Sequence, residues 1–174
     1  KEGRARSVVT DQGEFHARRE IILATGVIDS PKLLMLSGIG PGEHLQSMGL
    51  PVDVDSPGVG AHLLDHPDVP INFETGRDKQ PSTYFYADAG MFLEFDQSQP
   101  GVDVMFHFGN PTFDMQGAEL DERTIARSFN ISVEPSHAKS EGKLLLSSPD
   151  PHAPPAIHVD YFSDPDGHDI RHTV

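Results

Sequence analysis

The chain has 174 residues, 36% of them hydrophobic and 23% charged, so it can bury a core and is not expected to be disordered. A net charge of −14 argues against nucleic-acid or anionic-membrane partners, because such surfaces need clustered Lys and Arg. The absence of Cys excludes disulfides and thiolate metal sites and fits a cytoplasmic location, and no apolar run reaches the about 20 residues that span a bilayer.

The two ends of the sequence resemble cut ends. The chain begins with Lys rather than Met, in the middle of a pattern, and its last residues, GHDIRHTV, carry no stop signal. We therefore expect an internal fragment of a longer protein.

The first 26 residues predict three strands. Val8 and Val9 lead into a turn at residues 11–13, and Phe15 begins the returning strand of a hairpin. The run EIILATG, residues 20–26, is continuously apolar, which is typical of a strand buried on both faces.

Two short helices are predicted next. Asp29 or Ser30 can cap the first helix, and Pro31 suits its first position because the missing N–H would have no partner there. Gly38 is expected to end this helix, and the second is expected over residues 42–48, with Gly49 as its stop.

The remainder of the sequence is typical of an antiparallel β-domain. An irregular connector rich in Gly and Pro, residues 50–69, precedes five predicted strands: INFET, AGMFLEFD, VDVMFHFG, FNISVEP and GKLLLSS. A polar excursion at residues 114–127 predicts a loop with a turn of helix. A last helix is expected to begin at Ser163 or Asp164, with Pro165 in its first turn.

The junction Ala24-Thr25-Gly26 is a candidate ligand contact. Gly26 allows close approach of the backbone, and Thr25 offers a hydroxyl and an N–H group. From these residues alone, a packing corner without any ligand is the favoured interpretation, since short motifs often match by chance.

These motifs resemble the glucose–methanol–choline (GMC) oxidoreductase family in colinear order. GVIDSPKLLMLSGIG, residues 26–40, matches the second signature of the family, PGVGAHLLDHP is its next block, and residues 140–169 resemble the start of its C-terminal domain. The resemblance implies an α+β / α/β fold: residues 1–65 as the last part of an FAD-binding domain of Rossmann type, and residues 66–174 as part of an antiparallel-sheet substrate domain. The C-terminal region of the family would start near 136–174.

The resemblance also implies a flavin enzyme that oxidises a primary alcohol to the aldehyde by hydride transfer to FAD, with oxygen or an electron carrier as acceptor. The residues that would contact FAD are Ala24, Thr25, Gly26, Ile28 and Ser30. The Gly-x-Gly-x-x-Gly loop of the family is expected before Lys1 and the catalytic His beyond Val174. The fragment alone is therefore expected to hold no catalytic residue and to be inactive.

Within the family, the sequence is most similar to the choline-type subgroup. By that similarity Asp68 would face the cationic head of the substrate and His107 would line the pocket, with aromatic cover from Phe85 and Tyr86. Other interpretations stay open: Asp68 as a solvated loop acid, His107 as a hydrogen-bonded core histidine, and the aromatic cluster as core. The chain has no Trp, unlike the choline enzymes, so the identity of the alcohol is open.

Two other functions are compatible with the resemblance, a hydroxynitrile lyase that keeps FAD without redox chemistry and a non-catalytic fragment. A homodimer is left open as well. No metal is expected, because His168 and His172 lack the adjacent Glu and third ligand of a helical zinc site, and surface positions on an amphipathic helix explain them better.

Overall fold

The computed structural model describes residues 3–79, 89–95, 100–109, 112 and 120–174. The chain divides into two compact units, Lys1–Leu63 with Gly142–Val159, and Leu64–Glu141 with Asp160–Val174. The domain ranges 1–65 and 66–174 stay predictions, since the compact units are interleaved along the chain.

The first unit contains short strands and two helices. The hairpin is confirmed, with its two strands antiparallel, and the second helix lies where it was expected, followed by Gly49 in the left-handed region. The elements are β1 Ser7–Thr10, β2 Gly13–His16, α1 Gly26–Leu36, β3 Ile39–Gly40, α2 Gly42–Ser47, β4 Val54–Asp55, β9 Lys143–Leu145 and β10 Ala156–His158. β3 and β4 are parallel, and β9 and β10 are antiparallel.

The prediction of a strand over residues 20–26 is wrong. This segment has irregular backbone, and the Ile22 side chain is 79% exposed. A strand needs a neighbouring strand to pair its N–H and C=O groups, and no strand of the described residues pairs with this segment.

The first helix also begins earlier than predicted, at Gly26 instead of near Ser30, so that Pro31 lies inside it. The extra turn places Ile28 seven residues before Met35, on the same helical face. Ile28 packs against the buried cluster of Met35, Leu45, Leu144 and Leu146. We attribute the early start to this apolar contact, which compensates for the hydrogen bond that Pro31 cannot donate. Gly38 follows the helix at φ 82°, as expected.

The second unit is built on a four-stranded antiparallel sheet in the order β5-β8-β7-β6. Its elements are β5 Val69–Glu74, β6 Ala89–Leu93, β7 Val104–Gly109, α3 Glu122–Ala126, β8 Ser128–Pro135 and α4 His168–Thr173. Four of the five predicted strands are confirmed here, as is the turn of helix within the polar excursion. The fifth, GKLLLSS, contains β9 and pairs with β10 in the first unit instead.

The last helix begins at His168, later than the predicted Ser163 or Asp164. Asp164 still acts at its N-terminus, because its carboxylate accepts hydrogen bonds from the backbone N–H groups of His168 and Asp169. The expected surface position of His168 is also wrong: its side chain is buried, and burial lowers its pKa.

Candidate functional site

β8 carries a buried polar face. Asn130, Ser132 and Glu134 alternate along the strand and are buried, whereas the apolar Phe129 and Ile131 on the opposite face are only half-buried. From Phe129 to Ser132 this burial is the reverse of the usual arrangement, in which the apolar face of a sheet packs on the core, whereas Val133 further along the strand is buried. Buried polar groups need hydrogen-bonding partners, so this face is a candidate functional site.

The antiparallel register gathers further polar residues beside this face. Ser132 lies directly opposite His107 on β7 and Pro70 on β5, and directly opposite residues share a face. Asp68 precedes β5 by one residue and alternates with Pro70, so it continues the same face.

Glu134 contacts two imidazoles through one oxygen. Its Oε1 lies 3.1 Å from Nε2 of His107 and 3.5 Å from Nδ1 of His66. The Glu134 side chain is 10% exposed, but those of His107 and His66 are 41% and 50% exposed. The carboxylate is therefore enclosed, and both rings remain accessible.

Asp68 is half-buried and faces this group. Burial raises the pKa of its carboxyl above the ordinary 3.8; the negative charge of Glu134 adds to the increase, while the hydrogen bond with Ser132 and the charge of His107 oppose it. Its Oδ1 is buried without a hydrogen-bond partner in the described part of the chain. Such an atom loses its hydration and gains nothing in exchange until a ligand contacts it.

The segment that carries His66 and Asp68 is tied down by a tyrosine. The Tyr161 hydroxyl donates a 2.6 Å hydrogen bond to Oδ2 of Asp65. This bond raises the pKa of Tyr161 to about 12, with smaller contributions from burial and from the charge of Asp65.

The structure thus brings two of the predicted substrate residues, Asp68 and His107, to one face of the sheet. Phe85 and Tyr86 lie outside the described residues. The sequence did not predict His66, Ser132 or Glu134 as site residues. The alternation of Asn, Ser and Glu in FNISVEP was the available signal for the last two, but alternation alone does not say which face is enclosed.

The predicted cofactor residues lie around the start of α1, in the first unit. The hydroxyl oxygens of Thr25 and Ser30 lie 3.1 Å apart, and Thr25 makes no side-chain capping bond to the helix. Gly26 has φ 83°, and a Cβ built there would meet no atom within 4 Å. Ala24 is exposed, whereas Ile28 is half-buried and packs on the core.

These features fit a flat, polar cofactor at this point. A glycine in open space permits close approach, and uncapped N–H groups at a helix N-terminus can donate to a ligand. Val27 beside them is largely exposed, which leaves apolar surface for a ring system to cover.

Within the described residues, no group of three or more His, Asp and Glu side chains is arranged to hold a metal ion. Among the same residues, every helix is too short or too polar to cross a bilayer.

The chain consists of a unit with short strands and helices and a unit with an antiparallel sheet that holds an enclosed acid–imidazole group, formed by His66, Asp68, His107 and Glu134. Two solved oxidases have a similar fold. The chain is similar to pyridoxine 4-oxidase from Mesorbium loti, with a TM-score of 0.85 at 22% identity over 99% of this chain and 35% of that protein. It is also similar to a variant of formate oxidase from Aspergillus oryzae RIB40 that was used to study FAD modification, with a TM-score of 0.73 at 23% identity over 94% of this chain and 37% of that protein.

Residues 1–68 belong to the GMC oxidoreductase family, whose model matches them. The chain is 41% identical to choline oxidase from Arthrobacter globiformis, over 89% of this chain and 28% of that protein. It is 34% identical to oxygen-dependent choline dehydrogenase from Rhizobium etli, over 100% of this chain and 36% of that protein. The chain thus spans about a third of the length of the curated relatives that it matches.

Proposed function

We propose that the protein carrying this chain is an FAD-dependent oxidoreductase that oxidises a primary alcohol with a cationic head, choline or a close analogue, to the aldehyde. The observation that carries the proposal is the group formed by Asp68, His107 and Glu134 on the enclosed face of the sheet. The names of the two curated relatives support the same substrate and favour oxygen as the acceptor. A cytoplasmic location is part of the proposal and rests on the composition alone.

The carboxylate of Asp68 suits a cationic head. When ionised, it places a negative charge in a half-enclosed region, where the electrostatic attraction of a cation is stronger than in water. Binding a cation would also place a positive charge beside the unpartnered Oδ1 of Asp68 and offset its repulsion by Glu134.

The role of His107 is to meet the hydroxyl end of the alcohol. Its ring is accessible and sits on a central strand of the sheet, and it makes a hydrogen bond to Glu134 through Nε2. The second ring nitrogen can then accept a hydrogen bond from a hydroxyl group.

The cofactor contacts in this proposal are Ala24, Thr25, Gly26, Ile28 and Ser30. FAD, when bound, supplies the acceptor for the hydride that leaves the alcohol carbon. The hydroxyls of Thr25 and Ser30 and the free N–H groups of the α1 N-terminus would hold it through hydrogen bonds. Ile28 would support the contact from the core side.

Gly26→Ala is expected to lower the FAD content of the full-length protein severalfold, because the new methyl group would occupy the space left at the helix N-terminus. Gly49→Ala is the matched control, since Gly49 has φ 72° and equally open surroundings. Both variants carry the same backbone strain, so the ratio of flavin absorbance to protein absorbance should fall in the first only. An equal fall in both would remove Gly26 from the cofactor site.

Anaerobic mixing with choline tests the reaction itself. The yellow flavin of the holoenzyme is expected to bleach, because two electrons leave the alcohol for the cofactor and no oxygen is present to return them. Under the same conditions a lyase would leave the flavin oxidised. If neither choline nor any other primary alcohol bleaches the flavin, the proposed function is wrong.

A further inference from the structure

Glu134 stands out because it is a buried carboxylate whose partners are imidazoles. Burying an ionised carboxyl is costly unless hydrogen bonds or opposite charges replace its water. Its partners are His107 and His66, whose rings are accessible on their other sides. A pair kept only for stability would bury both members, and a surface pair would expose both. Here the carboxylate is enclosed and the rings face outward.

The sheet holds Glu134 in a fixed place. β8 is hydrogen-bonded on both sides, to β5 and to β7, and Glu134 is flanked along the strand by the buried Val133 and Pro135. Directly opposite on β7 lies Met105, and His107 follows two residues later on the same face. A central strand with buried neighbours can hold a side chain more precisely than a loop can.

The His107 side chain is 41% exposed, and the β6 strand beside it contributes to this exposure. Its directly opposite neighbour on β6 is Gly90, which contributes no side chain. A Cβ at that position would meet only the Phe106 carbonyl oxygen within 4 Å, at 3.5 Å. The ring is therefore supported by a carboxylate on the β8 side, and the directly opposite residue on β6 adds no side chain over it.

The contact with Glu134 fixes which nitrogen of the His107 ring carries the proton. An ionised carboxylate can only accept, so the nitrogen 3.1 Å from it, Nε2, must carry the proton. In the neutral ring Nδ1 then has the lone pair. Carboxylates that hold a histidine in one tautomer and orientation act in this way in many sites.

We propose that Glu134 is a positioning residue: it fixes His107 as the Nε2–H tautomer and thereby presents Nδ1 as the acceptor for the substrate hydroxyl. This inference rests on the proposed function and adds to it a residue that contacts the histidine rather than the alcohol. His66, whose Nδ1 approaches the same oxygen, shares the support.

The tautomer is tested without turnover. Nitrogen NMR of the holoenzyme with labelled histidine, assigned by comparison with His107→Ala, is expected to show His107 protonated at Nε2 at neutral pH. A ring protonated at Nδ1, or an even mixture of tautomers, would overturn the proposal. Because the wild-type protein is measured, the test holds even if variants at Glu134 fold poorly. The measurement does not depend on alcohol oxidation, so a failure of this proposal can be distinguished from a failure of the proposed function.

The positioning role is tested by a double-mutant cycle. Glu134→Gln is expected to lower kcat/KM for choline about 10- to 100-fold, with FAD content unchanged, since loss of a supporting carboxylate costs about this much in comparable sites. In a His107→Ala background the same change should cost less than about threefold, because its effect passes through the ring. Glu74→Gln, an exposed position on β5 of the same sheet, is the charge-matched control and should change nothing. An undiminished loss in the His107→Ala background, or an equal loss in Glu74→Gln, would overturn the proposal.

Discussion

Asp68→Asn is expected to raise the KM of the holoenzyme for choline about 100-fold and to change the KM for a neutral alcohol of similar size less than about threefold. The carboxylate has a buried oxygen without a partner, so it gains a full interaction when a cation binds. Asparagine keeps the size of the side chain and can still bond to Ser132, but it has no charge to offer a quaternary ammonium group.

Steady-state kinetics with the two alcohols separates charge recognition from general damage. Asp166→Asn is a suitable control, because Asp166 is an exposed residue of the same unit and lies outside the acid–imidazole group. Equal increases of KM for the charged and the neutral alcohol would contradict a cation-binding role for Asp68.

Asp68 should also make the KM for choline depend on pH. The pKa of Asp68 is raised above 3.8, chiefly by burial, so the carboxyl takes up a proton at a higher pH than an ordinary aspartate does. As the pH falls through that raised value, attraction for a cation is lost and KM for choline should increase. Asp68→Asn should abolish this acid limb and leave any limb seen with the neutral alcohol unchanged.

Asp169→Ala is expected to have the largest effect on stability, about 3 to 5 kcal/mol. The Asp169 side chain is fully buried, and its two oxygens accept hydrogen bonds of 2.8 Å from the backbone N–H groups of Lys139 and Ser140. Each hydrogen bond to a charged acceptor contributes about 1.5 to 3 kcal/mol, and alanine leaves both donors without partners. The bonds tie α4 to the segment that follows β8.

Hydrogen exchange measures this loss locally. The amides of Lys139 and Ser140 should exchange roughly two to three orders of magnitude faster in Asp169→Ala, since each 1.4 kcal/mol is a factor of ten. Asp166→Ala, an exposed change in the turn before the same helix, should stay within about 0.5 kcal/mol of the wild type. Similar exchange rates in both variants would contradict the stabilising role of the Asp169 hydrogen bonds.

The pH dependence of the stabilisation by Asp169 follows from the pKa of its carboxyl group. Burial alone would raise the pKa of Asp169, but the hydrogen bonds from Ser140 and Lys139, with the charge of His168, lower it below 3.8. A depressed folded-state pKa stabilises the protein above the unfolded value, and this contribution is lost as the pH falls through the folded value. Protection of the two amides should therefore persist at neutral pH and decline only in strong acid.

Local patterns in the sequence predicted the elements whose partners lie nearby in the chain. The hairpin at residues 7–16 and the four strands of the sheet follow from alternation and from turn residues. The strand expected over residues 20–26 failed, because a strand also depends on a neighbour that pairs with it. The start of α1 was misplaced because contact of Ile28 with the core outweighs the preference of Pro31 for a first turn.

The site was only half predictable for a related reason. Asp68 and His107 were named from a family resemblance, and the structure places both on one face. Ser132 and Glu134 were not named, because alternation along one strand assigns them to a face without saying that this face is the enclosed one. Enclosure is a property of the tertiary packing, and it is what makes Glu134 chemically unusual.

The reversed burial of β8 has an evolutionary consequence. The backbone ladder that joins β5, β8 and β7 does not depend on which side chains stand at the alternate positions. Under the proposed function, exchange of Asp68 for a neutral or basic group would therefore alter the charge of the alcohol that is preferred while the strands stay paired. New substrate preferences can arise on this sheet by single substitutions, without any insertion or rearrangement of the chain.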